Sequence, residues 1–494
     1  MKKLSLLAVF VIITIGIVAT SIHLADNKTC NDCNIVVFDA DIFRADGLDC
    51  EKSPEITPNI CEFKNEFIKF SNHHSPTDLT KPGMASFFTS SYPSTHGAWN
   101  EFYFIDKNQP NIINVLKDNG YNTIINHPEN KQVISSGYDI LLEPSALELN
   151  VPDLIKDKKT FLFTYEDNLH YPYLSNDQNE VISHPNKPVN FPNNLSEYYD
   201  RGTEIIIKNH QETLNGAFAQ DYIKNNGNST KGLYRHIEES CWNGNREAML
   251  VNNDYCWKLG KEIFEKYIDE NNPDDLKFVK YLYQERIKEV DKKISKIIRD
   301  LKSNNLWDKT VFVIRSDHGE EFMEHGNIGH NNLYEKVARV PFWIHVPNKA
   351  EETINNLTQT IDEAPTILKA VGIKPHPLMQ GRNLLEEKNY KSDVNFAIAQ
   401  KNDGSIFSIR EGNYKLLSIT NDSELDTTRY ELYNLEDDPD EKTNIVGTNH
   451  EIKERLLLKY YSTINQLPKF NPSNGSFNKL TDEQKSAIFK DGYF

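Results

Sequence analysis

Apolar residues along this chain fall into two patterns. Short uninterrupted runs occur at Ile35-Val36-Val37-Phe38, Thr123-Ile124-Ile125, Phe161-Leu162-Phe163, Val311-Phe312-Val313-Ile314 and Val340-Pro341-Phe342-Trp343-Ile344. Runs of this length, rich in β-branched and aromatic residues, read as strands buried on both faces, as in a parallel sheet. Between them lies a stripe at alternating four and three spacing: Tyr283, Ile287, Val290, Ile294, Ile297 and Leu301. That is one face of an amphipathic helix packed on a core. It ends at Asn304-Asn305-Leu306-Trp307, and a strand begins a few residues later, giving the helix-then-strand alternation of a doubly wound sheet. Two further helices are expected, from Asn111 to Gly120 and from Thr57-Pro58-Asn59-Ile60 on to Phe70.

Beyond about residue 390 the pattern changes to short alternating strands at Phe396–Ala399, Ile406–Ile409, Tyr414–Leu417 and Tyr430–Leu435, with a helix from Asn449. The expected fold is therefore α/β, a mostly parallel sheet sandwiched by helices over residues 30–388, with a small C-terminal α+β subdomain over 389–494. Residues from about 175 to 273 carry no usable pattern and read as a loop-rich insertion of the kind that forms lids or specificity elements.

The chain opens Met1-Lys2-Lys3, followed by an apolar run from about Leu4 to Thr20. Residues 1–25 are read as a secretory signal or a retained N-terminal membrane anchor, and either one exports the rest of the chain. Six cysteines in an exported chain suggest disulfides, and the short-range set Cys30–Cys33, Cys50–Cys61 and Cys241–Cys256 is the expected pairing. A formal charge of −17 argues against nucleic acid as a partner, so an anionic substrate would be drawn in by a local site.

Candidate chemistry sits where strands end. Asp39 and Asp41 leave the first run spaced i, i+2, on one face, and a buried carboxylate pair is costly without a cation. The fourth run stops abruptly in Ser316-Asp317-His318-Gly319, two metal-ligand side chains at a sheet end. Thr80-Lys81-Pro82-Gly83-Met84 reads as a helix starting at Pro82 with Thr80 just outside it, a hydroxyl at the positive end of the dipole. His170-Tyr171-Pro172-Tyr173 follows the third of the long runs, and Gly326-Asn327-Ile328-Gly329-His330 follows the acidic loop Glu320, Glu321, Glu324, His325.

Taken together, these stretches resemble the sulfatase family of the alkaline-phosphatase superfamily, in order, over most of residues 34–174 and 278–494. The family's nucleophile motif is Cys or Ser, any residue, Pro, Ser, Arg, followed by Thr-Gly-x-Tyr-Pro and His-Gly. Thr80 falls on the nucleophile, Pro82 on the proline, and Tyr92-Pro93 and His96-Gly97 on the tail, whereas Gly83 and Met84 depart from Ser and Arg. The resemblance implies a metal site of Asp41, Thr80, Asp317 and His318 holding a divalent ion (Ca, Mg, Mn or Zn, one or two ions). It gives His170 and His330 catalytic roles, as ligands of a second ion or as contacts to the ester, with His325 a further candidate for a second metal site. Ile42 stands where many members place a second carboxylate; Asp39 either compensates or is a surface turn residue. His127 is read as structural, and the acidic turn Asp437–Glu441 as the family's non-catalytic one.

The expected function is an exported, metal-dependent hydrolase cleaving phosphate or phosphonate esters ahead of sulfate esters. The lean to phosphorus rests on Thr80: family members acting on sulfate oxidise Cys or Ser to formylglycine, and threonine is not a known substrate for that conversion. The substrate class is a small-molecule, glycan-linked or lipid-linked anionic ester. Alternatives are a membrane-anchored phospholipid head-group transferase and a binding protein of this fold without turnover.

Overall fold

A computed structural model of the 494-residue chain describes residues 29–99, 109–126, 137–142, 150–167, 266–386, 394–401, 404–421 and 427–468, with a few isolated positions between them. The N-terminal apolar run, His127, Cys241, Cys256 and nearly all of 175–273 lie outside the described residues.

The apolar runs form strands as their composition dictates. β1 (Asn34–Ala40), β5 (Thr160–Glu166) and β6 (Thr310–Arg315) are buried along their whole length. With β2 (Ile68–His74), β3 (Asn122–Asn126), β4 (Ile140–Leu142), β9 (Phe342–His345) and β10 (Glu352–Gln359), they make an eight-stranded sheet ordered β10-β2-β9-β6-β1-β5-β3-β4. β1 lies between β5 and β6, parallel to both, and β9 alone runs antiparallel to its neighbours β2 and β6.

Alternation along β1 divides the core. Val36 and Phe38 face one layer with the long helix Pro273–Ser303, whose buried stripe includes every position expected from the sequence. Ile35 and Val37 face the other, against helices α1 (Thr80–Thr89), α2 (Ile112–Asp118) and α4 (Glu363–Ala370), the long helix being α3. Covering both faces of a parallel sheet with helices is what continuous apolar strands require.

A second, four-stranded antiparallel sheet, β11 (Val394–Lys401), β12 (Gly404–Glu411), β13 (Tyr414–Asn421) and β14 (Thr427–Asn434), is packed by helix α5 (His450–Ile464) through Leu456 and Tyr460. A separate small hairpin is formed by β7 (Glu321–Phe322) and β8 (Ile328–Gly329).

Two local expectations are corrected. Helix α1 begins at Thr80, because the Gly83 N–H donates to the Leu79 carbonyl (3.0 Å) and closes a turn one residue pair earlier than Pro82 would. The stretch Thr57–Phe70 is helical only at Pro58–Cys61 and Lys64–Glu66; from Ile68 it is strand β2, because pairing with β10 and β9 overrides local propensity. Among the described residues no helix is long and apolar enough to cross a membrane.

Candidate active site at the strand ends

The carboxyl ends of β1, β5 and β6 converge on one crevice, the usual place for a site in a parallel sheet. Asp41 follows β1, its N–H donating to the Glu166 carbonyl of β5 (2.9 Å). Asp317 and His318 follow β6, where the Ser316 hydroxyl donates to the His318 carbonyl (2.8 Å) and accepts the Phe43 N–H (2.9 Å), folding the two loops onto each other. One ligand atom from each of Asp41, Asp317 and His318 lies within 4.8 Å of the others, all three side chains buried. Thr80, at the first turn of α1, brings its hydroxyl 3.4 Å from Asp41 Oδ1 and 3.3 Å from His318 Nε2.

Partners fix the protonation of these groups. The His318 Nδ1–H donates to the Gly319 carbonyl (3.0 Å), so its Nε2 presents a bare lone pair to the crevice. Burial, reinforced by nearby His330, pushes His318 down to about 3, and it is a neutral imidazole. Asp41 Oδ2 accepts from the Tyr165 hydroxyl (2.6 Å) and pairs with His170 Nε2 (2.8 Å), leaving Oδ1 turned to Thr80. Burial opposes ionisation of both members of that pair; their mutual attraction overrides it, holding Asp41 well below the carboxylate range and raising His170 to about 9. Asp317 is driven the other way, by burial and then by the negative charges of Asp41 and Asp39.

Asp317 Oδ2 is buried with no hydrogen-bond partner. Two buried carboxylates, one of them with an unpartnered oxygen, and a bare imidazole nitrogen are a donor set that fits a divalent cation.

His330 completes the crevice wall, its ring 4.4 Å from that of His318 and 5.7 Å from that of His170. All the site residues expected from the sequence, Asp41, Thr80, His170, Asp317, His318 and His330, thus meet in one place. Tyr165 and Glu320 were missed. Tyr165 is hidden in an apolar strand run with no motif to mark it. Glu320, fully buried, accepts from Tyr173 (3.3 Å) and lies 3.4 Å from His330 Nδ1, yet in sequence it looks like one more charge in an acidic loop.

Other expectations are corrected. Ile42 has no carboxylate counterpart in Asp39: the Asp39 side chain is fully buried and ion-paired to Arg315, which also donates to Glu363 Oε2 (2.6 Å). Asp39 is therefore neither a compensating ligand nor a surface turn residue. Ile42 itself adopts a left-handed conformation (φ 49°), rare for a β-branched residue, with its side chain in the apolar core. His325 is turned away from the crevice, against Glu321 and Tyr334. In the acidic turn, Asp438 caps the N–H groups of Lys442 (3.0 Å) and Thr443 (2.7 Å). Two of the expected disulfides, Cys30–Cys33 and Cys50–Cys61, are formed.

A mainly parallel α/β sheet that gathers carboxylates, an imidazole and a hydroxyl at its strand ends has the architecture of the alkaline-phosphatase superfamily. Within it, the family model described as sulfatase matches residues 33–373, and the chain belongs to the sulfatase family. The model described as N-sulphoglucosamine sulphohydrolase, C-terminal, matches residues 323–466. Arylsulfatase K of Bos taurus is 28% identical over 240 residues, which cover 46% of this chain and 43% of that protein, so the match spans less than half of the relative's length. A protein solved in complex with D-glucosamine-2-N,6-O-disulfate superposes with a TM-score of 0.62 at 19% identity, covering 89% of this chain and 98% of that one. A phosphonate monoester hydrolase from Silicibacter pomeroyi does so with a TM-score of 0.60 at 16% identity, covering 89% and 96%.

Proposed function

We propose that this chain is an exported, metal-dependent ester hydrolase that uses the unmodified Thr80 hydroxyl as its nucleophile. The observation that carries the reading is the Thr80 hydroxyl itself, 3.4 Å from Asp41 Oδ1 and 3.3 Å from His318 Nε2 at the start of a ten-residue helix. Asp41, Asp317, His318 and Thr80 would hold the divalent ion, which supplies the positive charge that favours an ionised hydroxyl and polarises the ester.

The chain's own groups do the rest. The α1 N-terminus and His330 face the charged oxygens of the ester. The Thr80 hydroxyl loses its proton to solvent as its oxygen bonds to the central atom, and His170, protonated in its pair with Asp41, gives its proton to the departing alcohol and is reprotonated from solvent. Water then displaces the Thr80 oxygen and regenerates the hydroxyl. A phosphoryl-threonine can be cleared by water at phosphorus, whereas a sulfated threonine lacks the hemiacetal route open to formylglycine. Phosphate and phosphonate esters are therefore the favoured substrates, with sulfate esters second. Structural relatives named for a sugar disulfate and for phosphonate monoesters support an anionic ester, small or glycan-linked. The two disulfides, the lysine-rich start and the apolar run after it support export.

The test is a panel of aryl phosphate, phosphonate, phosphodiester and sulfate esters, with metals restored one at a time. Thr80→Ala should abolish turnover, Thr80→Ser should keep part of it, and Asp317→Ala should lose bound metal while remaining folded. Full activity in Thr80→Ala, or sulfate esters cleaved far faster than phosphate esters, would overturn the assignment.

A further inference from the structure

His325 lies five residues before His330, outside the crevice, and both of its ring nitrogens face acceptors. Nδ1 meets a Glu321 carboxylate oxygen, while Nε2 lies 3.1 Å from the Asp440 carbonyl and 3.0 Å from the Glu441 carbonyl. Carboxylates and carbonyls accept only, so both nitrogens must donate, which a neutral imidazole cannot do. The ring also stacks on Tyr334, centroids 3.6 Å apart and planes 10° from parallel, where a cation gains from the aromatic face.

The same Glu321 carboxylate grips the other side of His330. Its second oxygen accepts from Asn332 Nδ2 (2.7 Å), and the Asn332 side-chain oxygen accepts the Tyr334 N–H (3.1 Å). Glu321 and Gly329 are paired residues in the β7–β8 hairpin, so Glu321 holds position 329 through its backbone and positions 325 and 332 through its fully buried carboxylate, around His330. The far end of the grip is the second sheet. The Tyr334 hydroxyl donates to Glu431 of β14 (2.7 Å), Lys442 donates to the Glu324 carbonyl, and Glu441 accepts the Glu335 N–H (2.6 Å) while pairing with Lys415 (2.9 Å).

We propose that His325 is a positioning residue: as an imidazolium it clasps the His330 hairpin to the Asp440–Glu441 turn, so that the C-terminal sheet sets where His330 stands in the crevice. The proposal rests on the reading of His330 as a contact to the ester. The charged groups facing His325 are Glu321 on its own hairpin and Glu441 in the turn, with Asp440 paired to Lys336 (3.2 Å); Lys415 and Lys442 balance the turn from behind. Burial disfavours the charged ring, and the Glu321 hydrogen bond and charge outweigh it, raising its pKa. Deprotonation at alkaline pH leaves a lone pair against a carboxylate or a carbonyl and opens the clasp. Turnover then falls on the alkaline side.

The full chain labelled with ¹⁵N-histidine tests this directly. At pH 7 both His325 ring nitrogens should show the protonated signature, and a neutral, singly protonated ring would overturn the proposal. In folded His325→Gln, the His330 signals should move, and kcat should fall roughly ten- to a hundred-fold, as expected when a catalytic group is misplaced by about 1 Å. Metal content should be unchanged, and the part of the alkaline fall that tracks the His325 titration should be gone, leaving only the limb that loss of the His170 proton near pH 9 imposes. Unmoved His330 signals, or unchanged kcat with only a lower Tm, would mean a merely structural role and sink the clasp. A wild-type chain inert toward every ester of the panel overturns the hydrolase reading instead, and the His325 and His330 signals still decide the clasp.

Discussion

Asp41 carries two donors on one oxygen, and this division of labour fixes the site at the scale of single residues. Tyr165 and His170 both occupy Oδ2, so Oδ1 is free to face Thr80 and His318. Groups that orient a metal-ligating carboxylate contribute to affinity without touching the ion. Tyr165→Phe removes one donor and little volume from a buried strand, so the chain should fold. Its metal affinity should drop about 10- to 100-fold, read by titrating metal into the stripped protein. Unchanged affinity would mean that His170 alone orients Asp41. Ile42 shows the opposite economy: its N–H reaches Asp317 Oδ1 (3.3 Å) and its carbonyl accepts from Tyr283 (2.7 Å), contacts that hold a β-branched residue in the left-handed region beside Asp41 and Asp317.

At the scale of elements, the site depends on how closely α1 approaches the end of β6. Thr80 can reach Asp41 and His318 because Gly83, one turn later, lies against the Asp317 backbone. A Cβ at that position would sit 3.1 Å from the Asp317 carbonyl oxygen and 3.2 Å from its Cβ. The departure from serine at Gly83 thus has a packing reason in this chain. Gly83→Ala sets two effects of similar size against each other, about 1 kcal/mol gained in helix propensity and about 1–3 kcal/mol of overpacking. Tm should therefore change little. Turnover should fall at least roughly ten-fold, because a few tenths of an ångström are taken up between Thr80, the proposed nucleophile, and Asp317. Equal activity of Gly83→Ala and wild type would count against tight docking of α1 as a requirement.

At the scale of the whole molecule, buried neutral histidines join the layers. His74 meets Glu335 (3.1 Å) and Arg410 of the second sheet (3.1 Å) at Nε2, and accepts from Asn395 Nδ2 at Nδ1 (3.2 Å); burial outweighs the attraction of Glu335 and lowers it to about 4. His96 accepts the Ala98 N–H at Nδ1 (3.1 Å), leaving Nε2–H to donate to Ser86 of α1 (3.0 Å), and burial lowers it to about 3. Both folded pKa values lie below the ordinary histidine value of about 6.5. The unfolded chain therefore binds more protons in that window, and stability is lost as pH falls from about 6.5 toward 4. Tm measured across that range should fall, and less steeply in His96→Gln, which starts lower at pH 7 but has one fewer group to protonate. A His96→Gln profile parallel to wild type would show that His96 does not carry the effect.

Much of this was legible in the chain because it depends on local chemistry. Continuous apolar runs determine buried parallel strands, the four-and-three stripe determines the long helix, and a strand that stops in Asp-His-Gly must place those side chains at a sheet end. The order of those strands, with β1 between β5 and β6, was decided only in three dimensions. That order is what brings Asp41, His170 and Asp317, far apart in sequence, into one crevice. The same holds for charge. Asp39 and Asp41 look equivalent two residues apart, yet one meets Arg315 across the strand pair and the other meets His170. His325 and His330 are likewise both loop histidines in sequence. The β7–β8 pairing sends one to the C-terminal turn and the other to the crevice. A side chain's type is written in the sequence, but its role depends on which distant group it meets, and that is set by strand pairing and helix docking.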